Sequence, residues 1–260
     1  MDGLHQNTRI ERLGFNTDAG AGERARLGLL VLESDQTMEW EFRDLTHLPG
    51  VSVYHARLKN DVTVTPDTLA AMERQLPVAA RLLPQYLGLS AIGYGCTSGA
   101  TIIGEERVAE IIASVHPGVP ATNPLTAAKA AFAALGVSRL GLLTPYTPDV
   151  TEAMQARFDE AGISVRVVGS FYENSDEVVG RVDAASILKG AISVGASDDV
   201  DGVFISCTSL RACLAIPEAE RVLNKPVTAS NHAMAWHLLR LAGIADVNAQ
   251  TGRLFQTQLS

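Results

Sequence analysis

The chain has 260 residues, 47% of them hydrophobic and 19% charged, the balance of a globular protein rather than a disordered one. Lys and Arg number 21 against 29 Asp and Glu, a formal charge of −8, which argues against nucleic acid or an anionic membrane surface as partner. Three cysteines are too few for a secreted disulfide framework, and a chain this long buries roughly three quarters of its unfolded surface without needing disulfide or metal.

Residues 1–26 are polar with scattered charge. They read as an N-terminal extension, not as a signal peptide, because no apolar h-region is present. No apolar run approaches the roughly 18 residues of a membrane span, and the chain reads as soluble and cytoplasmic. Short Val-, Ile- and Leu-rich runs then follow at Leu27–Leu32, Val51–Arg57, Leu89–Gly95, Arg139–Thr144, Ile163–Gly169, Val200–Ser206 and Val227–Ala229. Their length and content predict buried parallel strands. Helical patterns alternate with them at Thr68–Leu83, Glu105–Ser114, Leu125–Leu135, Asp149–Ala161, Val178–Val194, Glu218–Leu223 and Ala233–Leu241. Gly136 and Gly162 stand where left-handed caps favour glycine, and Pro66, Pro148 and Pro217 stand near helix starts. Repeated βα units imply an α/β fold with helices on both faces of parallel sheets.

A repeat decides how many sheets. Ile92-Gly-Tyr-Gly-Cys96-Thr97-Ser98 closes one predicted strand and Val203-Phe-Ile-Ser-Cys207-Thr208-Ser209 closes another. Chance recurrence of Thr-Ser after a second cysteine is about one per cent at ordinary residue frequencies. Duplication explains it better. We expect two pseudo-symmetric, doubly wound lobes with four-stranded parallel sheets, residues 27–122 plus 230–260 and residues 123–229, facing each other across a cleft. Ligands of such sheets bind beyond the strands' carboxyl ends. There, backbone N–H groups and the Thr and Ser hydroxyls suit a carboxylate, and their field is expected to lower a thiol pKa towards neutrality. Two thiols on opposite faces of one substrate permit proton removal on one side and return on the other. Taken singly, each cysteine also reads as a small buried strand terminator.

Other patterns carry less. Gly99-Ala-Thr-Ile-Ile-Gly104 has P-loop glycine spacing but continues Glu105-Glu106, without the Lys and hydroxyl that hold phosphate and Mg²⁺. No Gly-x-Gly-x-x-Gly follows the first strand. Histidines 5, 47, 55, 116, 232 and 237 show no metal-ligand spacing, and His232 and His237 read as helix-surface residues. Cys213 lacks hydroxyl neighbours and reads as core.

Gly95-Cys96-Thr97-Ser98-Gly99, Leu143-Thr-Pro-Tyr146 and Ile205-Ser-Cys207-Thr208-Ser209-Leu-Arg211 together resemble the maleate isomerase and arylmalonate decarboxylase branch of the aspartate/glutamate racemase superfamily. Within it, Val31-Leu-Glu-Ser-Asp-Gln36-Thr-Met-Glu39 and Ser230-Asn231-His-Ala-Met-Ala-Trp236 look most like the ectoine-utilisation racemase-like proteins. The resemblance runs from about Arg26 to Gly243, with the motifs in family order. It implies an active site between two lobes, no cofactor, a small carboxylic acid as substrate, and catalytic thiols at Cys96 and Cys207. A homo-oligomer is compatible with it.

The family's carboxylate-binding residues carry over to Thr97, Ser98 and Tyr146, with Thr208 and Ser209 after the second cysteine. Where maleate isomerases have a substrate-binding asparagine this chain has Gln36, one methylene longer, which points to an acid other than maleate; their second asparagine falls within Glu173-Asn174-Ser175-Asp176, at Asn174. Arylmalonate decarboxylases have glycine at the first cysteine position, so two thiols favour an isomerase or racemase; the alternatives are an arylmalonate-type decarboxylase with Cys207 as proton donor and a two-lobed small-acid-binding protein without chemistry. A role in ectoine or diaminobutyrate catabolism is what the branch implies. Ser209 replaces the histidine of the amino-acid racemases' Cys-Thr-His. Asp35 reads either as a residue that orients a thiol or as the cap of the following turn, Asn231 as a helix N-cap or a cleft residue, and Arg211 as a helix-end arginine or a lure for a carboxylate.

Overall fold

The computed structural model describes residues 10–259. The first nine residues of the predicted N-terminal extension, His5 among them, lie outside that range. Residues 10–24 contain no helix or strand. Eight strands follow: β1 Ala25–Leu32, β2 Val51–Leu58, β3 Ala91–Gly95, β4 Ala121–Thr122, β5 Arg139–Thr144, β6 Ser164–Ser170, β7 Gly202–Ile205 and β8 Val227–Ala229. They form two four-stranded sheets, ordered β2-β1-β3-β4 and β6-β5-β7-β8, with every pairing parallel. The two orders are the same pattern repeated, as the duplicated Cys-Thr-Ser segments require. In each sheet the winding reverses between its first and third strands in sequence, so the crevice for a ligand opens at the carboxyl ends of β1 and β3 and of β5 and β7. Both Cys-Thr-Ser segments leave from those points.

The strands bury because their alternate faces are both apolar. β3 and β7 are fully buried. Phe132, Phe158 and Phe204 meet with centroids 5.7–5.8 Å apart. That cluster locks the helices Pro124–Leu135 and Pro148–Glu160 to β7. Asn123 caps the first of these helices, accepting from the N–H groups of Leu125 and Thr126 at 3.0 Å each. The final helix, Ser230–Leu241, carries the fully buried Trp236 and packs on Pro124–Leu135, on Met38–Leu45 and on β3. Among the described residues no helix is long and apolar enough to cross a membrane.

Two predicted helices are broken. Thr68–Leu83 resolves into Pro66–Ala71, a 3₁₀ turn at Met72–Arg74 and Leu76–Ala80, because Pro77 has no N–H to continue the ladder. Val178–Val194 divides into Asp176–Val179 and Ala184–Gly195, the second capped by Asp183. Helix Thr97–Ile103 follows Cys96 directly, and Met38–Leu45 follows β1. His232 and His237, read as surface residues, are buried on the final helix, and burial lowers both to about 4. Each ring bonds a threonine: Thr228 Oγ1 to His232 at 2.9 Å and Thr122 Oγ1 to His237 at 2.8 Å.

Candidate active site

Cys96 is the N-cap of the Thr97–Ile103 helix, in extended backbone, and its Sγ accepts the N–H of Gly99 at 3.2 Å. Glycine is required at 99: a Cβ there would collide with Tyr94 Oη and lie 2.9 Å from Cys96 Sγ. Ser98 Oγ stands 3.7 Å from the same sulfur. Cys207 is different, because its φ of +102° lies in the left-handed region that a side chain disfavours. The surrounding structure holds it there. Its N–H donates to Ser230 Oγ at 3.0 Å, the carbonyl of Thr208 accepts from Asn231 Nδ2 at 2.8 Å, and that of Ser209 accepts from Thr37 Oγ1 at 2.7 Å. Ser230 Oγ also pairs with Thr97 Oγ1 at 2.7 Å, so one buried hydroxyl ties the two Cys-Thr-Ser segments together.

Seven of the nine residues expected at the site line one cavity: Cys96, Thr97, Ser98, Tyr146, Cys207, Thr208 and Ser209. Tyr146, at the carboxyl end of β5, is buried, and Ser206 Oγ donates to its hydroxyl at 3.4 Å. Burial and the nearby Cys207 hold the Tyr146 phenol well above 10, so it stays a neutral donor.

Gln36 and Asn174 are not brought in. Gln36 is exposed and absent from the lining. The turn after β1 instead directs its neighbour Asp35 inward, where Oδ1 accepts the N–H groups of Thr37 and Met38 at 2.7 Å each. Asn174 is also exposed, and its carbonyl accepts the N–H of Val64 at 2.9 Å. Together with the N–H of Asp176 on the carbonyl of Val62 at 3.0 Å and the Thr63–Ser175 bridge, this joins one lobe to the other beside the cavity. Asp176, two residues on, is the side chain of that segment that lines the cavity, with Asn60 and Asp61 from the opposite strap. Polar loop residues of this kind carry no periodic signal, and only the fold says which of them faces inward.

The thiols contradict the expected lowering. Burial pushes Cys96 up to about 11, against the opposing N–H of Gly99 and hydroxyl of Ser98. Burial, followed by the charge of Asp176, pushes Cys207 further up, opposed by the Ser209 N–H and the Tyr146 hydroxyl. A few dipoles at a helix start do not outweigh the loss of water around a thiolate, nor a carboxylate beside it. Both groups rest as thiols, and Cys96 is the easier of the two to ionise.

Arg211 is half-buried outside the cavity, donating to the carbonyl of Val182 at 3.1 Å. Asn231 is neither cap nor lining: from inside the helix it bridges Thr208 and the buried Glu41. Cys213 is half-buried beside Glu41, not fully in the core. Among the described residues no group of three or more His, Cys, Asp or Glu is placed to hold a metal ion.

The family model described as arylmalonate decarboxylase matches residues 48–255. The chain belongs to the arylmalonate decarboxylase family. It is 33% identical over 197 residues to the arylmalonate decarboxylase of Bordetella bronchiseptica, covering 74% of this chain and 82% of the relative. It is 27% identical over 245 residues to the maleate isomerase of Nocardia farcinica, covering 89% and 95%. Among solved structures, a cysteine-to-serine variant of the Nocardia farcinica maleate cis-trans isomerase, with a covalently bound succinylcysteine intermediate, superposes with a TM-score of 0.78 at 25% identity. That match covers 89% of this chain and 98% of the isomerase.

Proposed function

We propose that the protein is a cofactor-independent isomerase or racemase of a small carboxylic acid, working through Cys96 and Cys207. One observation carries the reading: two thiols reach a single cavity from equivalent positions at the ends of β3 and β7. Cys96, the easier to ionise and the one at a helix start, is the base or nucleophile. Cys207 delivers the proton. Thr97, Ser98, Tyr146 and neighbouring N–H groups hold the carboxylate and stabilise the enolate-like charge that develops on it.

In the proton-transfer form, Cys96 first loses its proton to solvent, its thiolate then removes the proton from the carbon beside the carboxylate, and the electron pair spreads into an enolate. The Cys207 thiol then protonates the opposite face, leaving its own thiolate. In the cis–trans form, the Cys96 thiolate adds to the double bond, the resulting single bond rotates, and the double bond re-forms as the C–S bond breaks. The succinylcysteine seen in the Nocardia farcinica isomerase structure supports the second form by analogy. The segments Val31–Glu39 and Ser230–Trp236 support placing the substrate in ectoine or diaminobutyrate breakdown.

The test is to incubate a Cys207→Ser variant with unsaturated small acids and map its peptides by mass, and to incubate wild type with saturated small acids in D₂O. A thioether adduct on Cys96 supports the cis–trans form, and deuterium beside the carboxylate in D₂O supports the proton-transfer form. Neither product from any acid in the panel removes the reading. A decarboxylase is the second reading, favoured by the 33% identity to the Bordetella bronchiseptica enzyme and by a Cys207 held as a thiol. It requires that Cys96→Ala still decarboxylate a malonate-type acid and that Cys207→Ala not do so.

A further inference from the structure

The cavity between the thiols is lined by acidic side chains and by no cationic one. Its titratable lining consists of Asp61, Cys96, Tyr146, Asp176 and Cys207. Two nearby arginines are engaged elsewhere. Arg57 donates to the carbonyls of Leu32, Glu33 and Asp35 and to the Glu39 carboxylate. Arg211, outside the lining, donates from Nη2 to the carbonyl of Val182, and its buried Nε makes no hydrogen bond. Lys59 is exposed and lines an outer hollow that adjoins the cavity through Asn60, Asp61, Thr68 and Met72, without itself entering the lining.

Asp176 is buried and forms no ion pair among the described residues; its carboxylate accepts the hydroxyls of Ser34 and of Ser209, the latter at 2.5 Å. A carboxylate offers about four lone-pair sites, so about two remain for a ligand. A second buried acid, Asp35, stands near Cys207. A dicarboxylate laid between the thiols would place one carboxylate on the Cys96–Gly99 donors and the other beside Asp176, with no cation in the lining to compensate. Like charges in a buried, low-dielectric cavity are strongly disfavoured. A positively charged amine in the same place donates into the free lone pairs of Asp176.

We infer that the site takes a zwitterionic amino acid, its carboxylate on the hydroxyl and N–H donors beside Cys96 and its ammonium group on Asp176. The inference rests on the reading of this cavity as the substrate site. It also bears on reactivity, since an ammonium group offsets the Asp176 charge that helps keep both thiols protonated.

The test is calorimetric binding at neutral pH. The probes are both hands of alanine, serine and threonine, with β-alanine, against malonate, maleate and succinate. Wild type is expected to bind at least one amino acid about tenfold or more tightly than any of the dicarboxylates. Asp176→Asn, which preserves size and can still accept a hydroxyl, is expected to lose about tenfold or more for that amino acid and to narrow the preference. Tighter binding of a dicarboxylate by wild type, binding of no amino acid, or an unchanged preference in Asp176→Asn overturns the inference. The wild-type comparison stands even if the variant does not fold. The two readings fail separately. Amino-acid binding that depends on Asp176, without any conversion, removes the catalytic reading alone; thiol-dependent turnover of a dicarboxylate removes this inference alone.

Discussion

Replacing Ser230 by alanine removes a single oxygen atom and should be felt at both thiol-bearing segments. Ser230 is fully buried, and its hydroxyl serves the N–H of Cys207 at 3.0 Å and Thr97 Oγ1 at 2.7 Å. Without it the Cys207 N–H has no partner and no access to water, which costs about 1–3 kcal/mol. The loss falls on a residue already held at φ +102°, so local relaxation carries strain of its own. We expect Ser230→Ala to be about 2–3 kcal/mol less stable, which in a chain of this size is a fall in Tm of roughly 5–10 °C. Urea and thermal melts of Ser230→Ala, Thr97→Val and the double variant measure it. Because the two hydroxyls share one bridge, the double variant should lose less than the sum of the singles, by about 0.5 kcal/mol or more. A Ser230→Ala melt within about 1 °C of wild type, or strictly additive losses, would refute the bridge.

Two further predictions concern stability. At an ordinary position, glycine is about 0.5–1 kcal/mol less stable than alanine, but at Cys207 the positive φ reverses the order; Cys207→Gly should therefore melt above Cys207→Ala, and the opposite ranking contradicts the strain. Burial raises the Glu41 carboxyl to about 7, so the stability it contributes is complete below pH 4.5 and is lost as pH rises through 7. Glu41→Gln should accordingly gain on wild type by up to about 3 kcal/mol between pH 4.5 and 8. The buried histidines act in the opposite direction but are common to both proteins, so they cancel from the difference. A difference that does not change with pH would contradict the prediction.

The parts of this fold that a sequence displays are those with a period or a duplicate. The Cys-Thr-Ser repeat placed Cys96 and Cys207 at the ends of equivalent strands, because a strand of small and apolar residues ending in cysteine reads the same in both halves. Gly136 and Gly162 take positive φ at their helix ends, as their positions imply. What stayed hidden depends on three dimensions. Gln36 and Asp35 are neighbours of similar polarity, and only the turn after β1 decides that Asp35 faces inward. Asn174 and Asp176 differ by two positions within a strap whose direction is set by pairing with the other lobe. Thr97–Ile103 lacks a helical signature because four of its seven residues are β-branched and one is glycine, and it forms because Cys96 caps it and the lobes bury it. The thiol pKa values turn on burial, which a motif does not encode.

The claim that two thiols act together on one small acid is tested most directly by proton NMR in D₂O, with wild type, Cys96→Ala and Cys207→Ala run side by side on a panel of small acids. Wild type should isomerise one of them or exchange the proton beside its carboxylate. Each variant should be slower by about 10²-fold or more, the scale of losing a positioned acid or base. A variant that keeps a rate within about tenfold of wild type on that acid would contradict the account.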